Sequence, residues 1–106
     1  MIYTVQITPE AQAQLCKLEV DIARAGSPLT AARYVNAILD YCESLRTTPK
    51  RGTRRDDLRP GLRTVGYRRR ATILFEVSDA TATVSIIGIV YGGQDYETML
   101  RDRLNS

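Results

Sequence analysis

The residues best suited to chemistry in this sequence are arginines concentrated in one stretch of the chain. Residues 46–70 include ten basic and two acidic residues, whereas the whole chain has a net charge of only +3. Arg59, Arg63 and the run Arg68–Arg70 lie on or just before a predicted strand. Guanidinium groups bind phosphates and carboxylates through several donors, and a concentrated basic surface attracts polyanions or an acidic protein. A solvated charged loop is the alternative interpretation, but the position beside a strand favours a binding surface.

These arginines have few partners for acid–base chemistry. Arginine stays protonated and is a poor base, and the chain lacks histidine, the commonest general base and metal ligand. Cys16 and Cys42 have the spacing of neither a disulfide framework nor a metal site, and we interpret both as small apolar residues of helices. No P-loop, dinucleotide-binding or serine-nucleophile motif is present. We therefore expect no metal and no cofactor.

The length of the chain predicts one domain that positions these side chains. A chain of 106 residues is long enough for a single modest core, so we expect one domain over residues 1–106. No apolar run approaches membrane-spanning length. The N-terminus does not have the pattern of a signal peptide. We therefore expect a cytoplasmic protein.

Hydrophobic periodicity predicts a strand, two helices, three strands and a short C-terminal helix. Residues 2–7 alternate as in a strand. Thr8-Pro9 and Ser27-Pro28 each combine an N-cap with proline at the first helical position, and an apolar stripe at helical spacing follows each. These signals predict a helical hairpin over residues 9–46. The later strands are predicted over residues 62–68, 71–77 and 84–91, and Asp95 is the predicted cap of the last helix.

The predicted architecture is a two-layer α+β domain, with the helical hairpin on one face of an antiparallel sheet. The last strand is apolar on both sides, which indicates a central strand covered on both faces. Because the hairpin covers only one face, Leu74, Ile87 and Ile89 must contact either the C-terminal helix or a partner outside the chain. Periodicity alone leaves both alternatives open.

Short motifs follow one another in a recognisable order over nearly the whole chain. They are Leu45, Pro49 and Gly52, then DLRPGLR at 57–63, Tyr67 with ILFEV at 73–77, and IIGIVYGGQD at 86–95. In this order and spacing the sequence resembles the ParE branch of the ParE/RelE toxins of bacterial toxin–antitoxin modules. The resemblance implies a RelE-like fold with the first strand beside the last. It also implies a cognate antitoxin, autoregulation of the operon and a role in plasmid stabilisation.

The resemblance implies two alternative targets. ParE-type members poison DNA gyrase, whereas RelE-type members cut messenger RNA on the ribosome. A metal-free ribonuclease must move protons and stabilise a charged phosphorane, and Arg63 and Tyr91 are the catalytic candidates if this chain is such an enzyme. Family members often end the last strand with His-Gly-Arg-Arg-Asp, whereas this chain has Tyr-Gly-Gly-Gln-Asp at 91–95. With Lys50 as the only lysine near the arginines, we favour a non-enzymatic toxin directed at gyrase.

The interpretation assigns two sets of binding residues. The predicted target-binding residues are Arg59, Arg63, Arg68, Arg69 and Arg70, which are also candidates for nucleic-acid contact. The predicted antitoxin-binding residues are Leu74, Ile87, Ile89 and Tyr91. Two alternatives without a target stay open. In the first, Arg63 only pairs with a neighbouring carboxylate such as Glu76. In the second, the chain is an inactive family member that acts as an antitoxin-binding co-repressor.

Overall fold

Two helices and five strands follow one another in the computed structural model, which describes residues 2–68 and 70–92. They are β1 (Thr4–Ile7), α1 (Pro9–Ala25), α2 (Pro28–Ser44), β2 (Thr53–Arg54), β3 (Leu62–Tyr67), β4 (Ala71–Ser78) and β5 (Thr83–Tyr91). The C-terminal helix that was predicted to begin at Asp95 lies outside the described residues. No helix in the described part of the chain is long and apolar enough to cross a membrane.

Both helices begin at their predicted caps. The Thr8 hydroxyl accepts a hydrogen bond from the backbone of Ala11 at 3.3 Å, and the Ser27 hydroxyl accepts one from Thr30 at 3.1 Å. In each helix the next residue is proline, whose fixed φ suits the first helical position. The predicted pair of helices on one sheet face is confirmed. Their buried stripes consist of Ala11, Leu15 and Leu18 on α1 and Ala31, Val35, Ile38 and Cys42 on α2.

The five strands form one mixed sheet in the order β1-β5-β4-β3-β2. Strands β3, β4 and β5 pair antiparallel as predicted, and β2 adds to β3 in the same sense. The sheet is mixed rather than wholly antiparallel, because β1 runs parallel to β5. A parallel pair needs a long crossover connection, and the helices and intervening strands supply one. The first strand therefore lies beside the last, as the resemblance implied. Strand β2 was not predicted because its two residues are polar and exposed, so they show no periodicity.

The main core lies between the helices and one face of the sheet. Ile38 of α2 is fully buried there against Phe75, Val84 and Ile86 of the central strands. Deleting such a side chain costs about 2–5 kcal/mol, because the lost burial and the cavity left behind add together. This layer is therefore the rigid scaffold on which exposed side chains are positioned.

A β-bulge changes the face on which two predicted residues lie. Leu74 is opposite Gly88 and Phe75 is opposite Ile86, so Ile87 is an extra residue in β5. Because of this insertion, Ile86 and Ile89 both face the helices. The prediction that Ile89 and Tyr91 share the outer face with Ile87 is therefore wrong. Ile89 is in the main core, and the ring of Tyr91 contacts Tyr34 on α2.

The other face of the sheet carries a smaller apolar cluster. Leu58, Leu62 and Leu74 are buried together, and half-buried Ile87 packs against them. We name these four residues the outer cluster. The chain before β3 contributes Leu58, so the described residues themselves cover part of this face.

Candidate functional site

Four tyrosines meet where α2 lies over the ends of β3 and β5. Tyr34 and Tyr41 are seven residues apart on α2 and therefore share one helix face. Tyr67 ends β3 and Tyr91 ends β5. The ring centroids are 5.3 Å apart for Tyr41 and Tyr67, 6.4 Å for Tyr34 and Tyr67, and 5.8 Å for Tyr34 and Tyr91. The rings therefore form one continuous, half-buried group.

Arginines flank this group of rings. The guanidinium carbon of Arg51 lies 5.7 Å from the Tyr41 ring centroid, and that of Arg68 lies 5.3 Å from the Tyr67 ring centroid. Both distances are within the range of cation–π attraction. Arg70 is exposed in the same turn as Arg68. We name this site the Tyr–Arg surface; its members are Tyr34, Tyr41, Tyr67, Tyr91, Arg51, Arg68 and Arg70.

The turn that holds Arg68 and Arg70 has a strained backbone. Arg68 has φ of 50°, in the left-handed region that favours glycine. The amide of Arg70 donates to the Arg68 carbonyl at 2.8 Å, and the amide of Gly92 donates to the Arg70 carbonyl at 2.9 Å. An arginine in such a conformation costs on the order of 1 kcal/mol. The hydrogen bonds hold the turn in place beside the tyrosines despite that cost.

The centre of the Tyr–Arg surface keeps its proton at neutral pH. The Tyr34 hydroxyl is buried without a hydrogen-bond partner among the described residues. Burial raises the pKa of Tyr34, Tyr91 and Tyr67 raise it further, and Arg68 and Arg70 act in the opposite sense. A neutral phenol donates a hydrogen bond but does not serve as a base. The surface therefore offers aromatic faces, positive charge and donors.

The predicted target-binding arginines are distributed over separate parts of the molecule. Arg68 and Arg70 belong to the Tyr–Arg surface, and Arg69 lies outside the described residues. Arg59 is near the outer cluster, where its Nε lies 2.9 Å from Oε1 of Glu76. The N–H is not aligned with that oxygen, so the contact is an ion pair rather than a hydrogen bond. Glu76 therefore pairs with Arg59. The carboxylate on which the charge of Arg63 acts is instead Asp79, whose pKa is lowered by hydrogen bonds from Tyr3 and Lys50 and further by Arg63.

The two catalytic candidates do not lie together. Arg63 is opposite Phe75, whereas Tyr91 is opposite Ala71 on the same strand. These positions are four steps apart along β4, which corresponds to about 13 Å in the strand direction. The structure thus places Arg63 and Tyr91 at opposite ends of the sheet.

Sequence reasoning missed most of the Tyr–Arg surface. No binding role was assigned to Tyr34, Tyr41 or Arg51 from the sequence. Two signals pointed to the surface: the seven-residue spacing of the tyrosines on α2, and the adjacency of Tyr67 to the arginine run. The contact of Tyr34 with Tyr91 depends on the bulge in β5, which the sequence does not reveal.

Comparison with known proteins gives one family and several similar folds. Residues 5–96 match the sequence model described as "ParE toxin of type II toxin-antitoxin system, parDE". No curated protein matches the chain. The chromosomal ParDE toxin–antitoxin system from P. aeruginosa contains a similar chain, with a TM-score of 0.73, 22% identity, and coverage of 86% of this chain and 97% of that one.

Two further solved structures share the fold. A chain of the toxin–antitoxin complex RelBE2 from Mycobacterium tuberculosis has a TM-score of 0.62 and 22% identity, covering 86% of this chain and 99% of that one. The isolated RelE toxin of E. coli has a TM-score of 0.55 and 14% identity, covering 96% of this chain and 98% of that one. At these identities the similarities establish the α+β fold, with two helices on a mixed sheet.

Proposed function

This chain belongs to the ParE toxin family of type II toxin–antitoxin systems, and on that premise we propose that it is a toxin that inhibits DNA gyrase. A cognate antitoxin neutralises it, and the complex represses its own operon. The toxin acts in the cytoplasm, where gyrase works, and contributes to plasmid stabilisation when a plasmid encodes it. Family membership supports the toxin role, and the chemistry of the Tyr–Arg surface supports the target.

The observation that carries this proposal is a surface built for docking rather than for proton transfer. Arginine is a poor base because it stays protonated, and burial raises the pKa of Tyr34 above its ordinary value, which already lies well above neutral pH. In the described residues, the functional groups of the Tyr–Arg surface are phenols and guanidiniums. Such groups bind an acidic protein surface or a phosphate backbone. The separation of Arg63 from Tyr91 also argues against a catalytic pair made of these two residues.

A ribosome-dependent messenger ribonuclease of RelE type is the second candidate. The half-buried tyrosine rings favour it, because unstacked bases bind to aromatic side chains flanked by arginines. On this alternative, Tyr91 at the end of β5 donates a hydrogen bond to the scissile phosphate. The gyrase proposal is preferred because the surface has no evident base among its members.

We infer that the antitoxin binds on the opposite side of the sheet. Leu74 and Ile87 lie in the outer cluster, and Ile87 is its half-buried member. Apolar residues of an antitoxin segment would extend this cluster. Ile89 and Tyr91 face the helices and are left out of this inference.

The target is tested by two assays on the same purified chain: supercoiling by gyrase, and mapping of message ends on translating ribosomes. We expect inhibition of supercoiling with intact messages. The double substitution Arg68→Ala with Arg70→Ala should raise the inhibitory concentration at least about tenfold, equivalent to about 1.4 kcal/mol. Arg46→Ala is the control, because Arg46 is an exposed arginine that pairs with Glu43, three residues before it in the chain, and it should change inhibition less than about twofold.

The other outcomes discriminate the alternatives. Codon-specific cleavage of messages with normal supercoiling would contradict the gyrase proposal and establish the ribonuclease. An absence of both effects, with antitoxin binding retained, would identify a co-repressor.

A further inference from the structure

Two arginines lie directly opposite one another at the edge of the sheet. Arg54 on β2 is the register partner of Arg63 on β3, and like charges in directly opposed positions destabilise an antiparallel pair. Lys50 lies beside them, and the three cations line a cleft of about 290 Å³ with Asp79, Gly61, Leu62 and Val77. The cleft therefore concentrates positive charge, and an anion bound there would relieve the repulsion.

Backbone carbonyls hold the guanidinium of Arg63 in one orientation. Its Nη1 donates to the carbonyls of Lys50 and Arg51, at 3.2 and 3.3 Å. The edge formed by Nε–H and Nη2 makes no hydrogen bond to the described residues. That edge has the spacing of two oxygens of one phosphate or carboxylate group, so it binds such a group through two parallel hydrogen bonds. Arg63 is thus oriented in advance for an oxyanion.

A glycine brings these carbonyls close to β3. Gly52 has φ of +78°, and a Cβ at this position would lie 2.2 Å from the carbonyl oxygen of Thr64. Only glycine allows the loop to approach the strand this closely. The geometry of Arg63 therefore depends on a loop conformation that the sequence specifies.

The carboxylates near the cleft do not compensate its charge fully. Asp79 accepts from the Tyr3 hydroxyl at 2.6 Å and from Nζ of Lys50 at 3.0 Å, so both its oxygens are engaged. Arg54 pairs with Asp56 at 2.9 Å, but their side chains are 69% and 45% exposed. An ion pair this exposed is weak. Arg54 is therefore available to turn toward an anion in the cleft.

We propose that this cleft binds a phosphate group, with Arg63 as the bidentate ligand and Arg54 and Lys50 as flanking cations. The phosphate belongs either to a nucleic-acid backbone or to a free phosphate ester; both present the same oxygens. The cleft is at the end of β3 opposite to Tyr67. Arg51 connects the two sites, because its side chain lies over Tyr41 while its backbone carbonyl holds Arg63. The proposal therefore goes beyond gyrase inhibition, and either can fail without the other.

The test is a titration of the purified chain with inorganic phosphate, followed by NMR of the arginine Nε–H groups at constant ionic strength. We expect saturable shifts at Arg63 and Arg54. Arg54→Gln should weaken phosphate binding at least about tenfold, because one charge-assisted contact is lost. Arg46→Gln, at an exposed arginine outside the cleft, should leave it unchanged. Arg63→Lys keeps the positive charge but removes the pair of parallel donors, Nε–H and Nη2, and should also weaken phosphate binding.

Arg54 is the better position for the test, because Arg63 also supports the loop by donating to the carbonyls of Lys50 and Arg51. A substitution of Arg63 could therefore weaken binding by disturbing the loop. A short DNA duplex added to the phosphate-saturated chain distinguishes the sources. Displacement of phosphate by the duplex assigns the cleft to a nucleic-acid backbone, and retention of phosphate assigns it to a free phosphate ester. Shifts that chloride reproduces, or that Arg54→Gln and Arg46→Gln change equally, would overturn the proposal.

Discussion

At the scale of single residues, Asp79 connects three segments that are distant in the sequence. It follows β4, and its carboxylate binds the hydroxyl of Tyr3 before β1 and the ammonium group of Lys50 in the loop after α2. The hydrogen bonds from Tyr3 and Lys50 lower the pKa of Asp79. The same hydrogen bond to Asp79 raises the pKa of Tyr3. The ionised carboxylate and the neutral phenol are thus the favoured states of the folded protein.

This contact predicts a defined dependence of stability on pH. Because the folded pKa of Asp79 is depressed, its contribution is present above the unfolded pKa of about 4 and is lost as the pH falls through the folded value. The contribution of Tyr3 is present below about pH 10 and is lost as the pH rises further. Asp79→Asn should therefore reduce the loss of unfolding free energy as the pH falls below about 4, measured by urea unfolding at a series of pH values.

Asp21→Asn, at an exposed residue of α1, is the matched control and should follow the wild-type curve. If Asp79→Asn loses unfolding free energy at acidic pH as steeply as the wild type, the contact of Asp79 with Tyr3 and Lys50 does not persist in solution.

At the scale of elements, the bulge in β5 is stabilised by a side chain of α1. β1 pairs with β5 only as far as Ile86, so the amide of Ile89 lies beyond the end of β1. The Oε1 of Gln14 accepts from that amide at 2.7 Å. A helix side chain thus replaces the missing strand partner and holds Ile89 in the main core.

Gln14→Ala should therefore destabilise the chain by about 1–3 kcal/mol, because it leaves a partly buried amide without a partner. It should also accelerate hydrogen exchange of the Ile89 amide more than exchange elsewhere in β5. Gln12→Ala is the control, since the exposed Gln12 side chain donates only to the Ile7 carbonyl. Equal stability and unchanged exchange at Ile89 would refute the role of Gln14.

The same strand shows how far the sequence predicts this structure. The helices begin within a residue of prediction because Thr8-Pro9 and Ser27-Pro28 are local signals whose effect does not depend on distant contacts. Strands β1, β3, β4 and β5 were also predicted from their apolar patterns, whereas the polar β2 was not. The sheet faces predicted for Ile89 and Tyr91 were wrong because of the extra residue in β5. One inserted residue moves every later side chain of the strand to the opposite face, and no local sequence signal indicates the insertion. The Tyr–Arg surface depends on this reversal, so it too was only partly predictable.

At the scale of the whole molecule, the basic segment of the sequence supplies two positive sites, which the neighbouring residues Lys50 and Arg51 connect. The Tyr–Arg surface lies at one end of β3, and the cleft of Arg54 and Arg63 lies at the other. Several of the remaining cations are paired with neighbouring carboxylates, as Arg46 is with Glu43 and Arg59 with Glu76. The apparent single patch of charge in the sequence therefore becomes two sites that can bind different groups. The apolar outer cluster forms a third site on the other face of the sheet.

This division predicts that antitoxin binding can be disrupted without affecting the target-facing residues. Ile87 is half-buried at the rim of the outer cluster, so Ile87→Asp should allow folding but place a charge in the proposed interface. We expect it to weaken binding of the antitoxin encoded beside the toxin by about 2 kcal/mol or more, measured by calorimetry. Leu29→Asp is the control: Leu29 is 60% exposed in the first turn of α2, where an acidic residue suits the helix dipole. If Leu29→Asp weakens binding and Ile87→Asp does not, the antitoxin contacts the helical side instead.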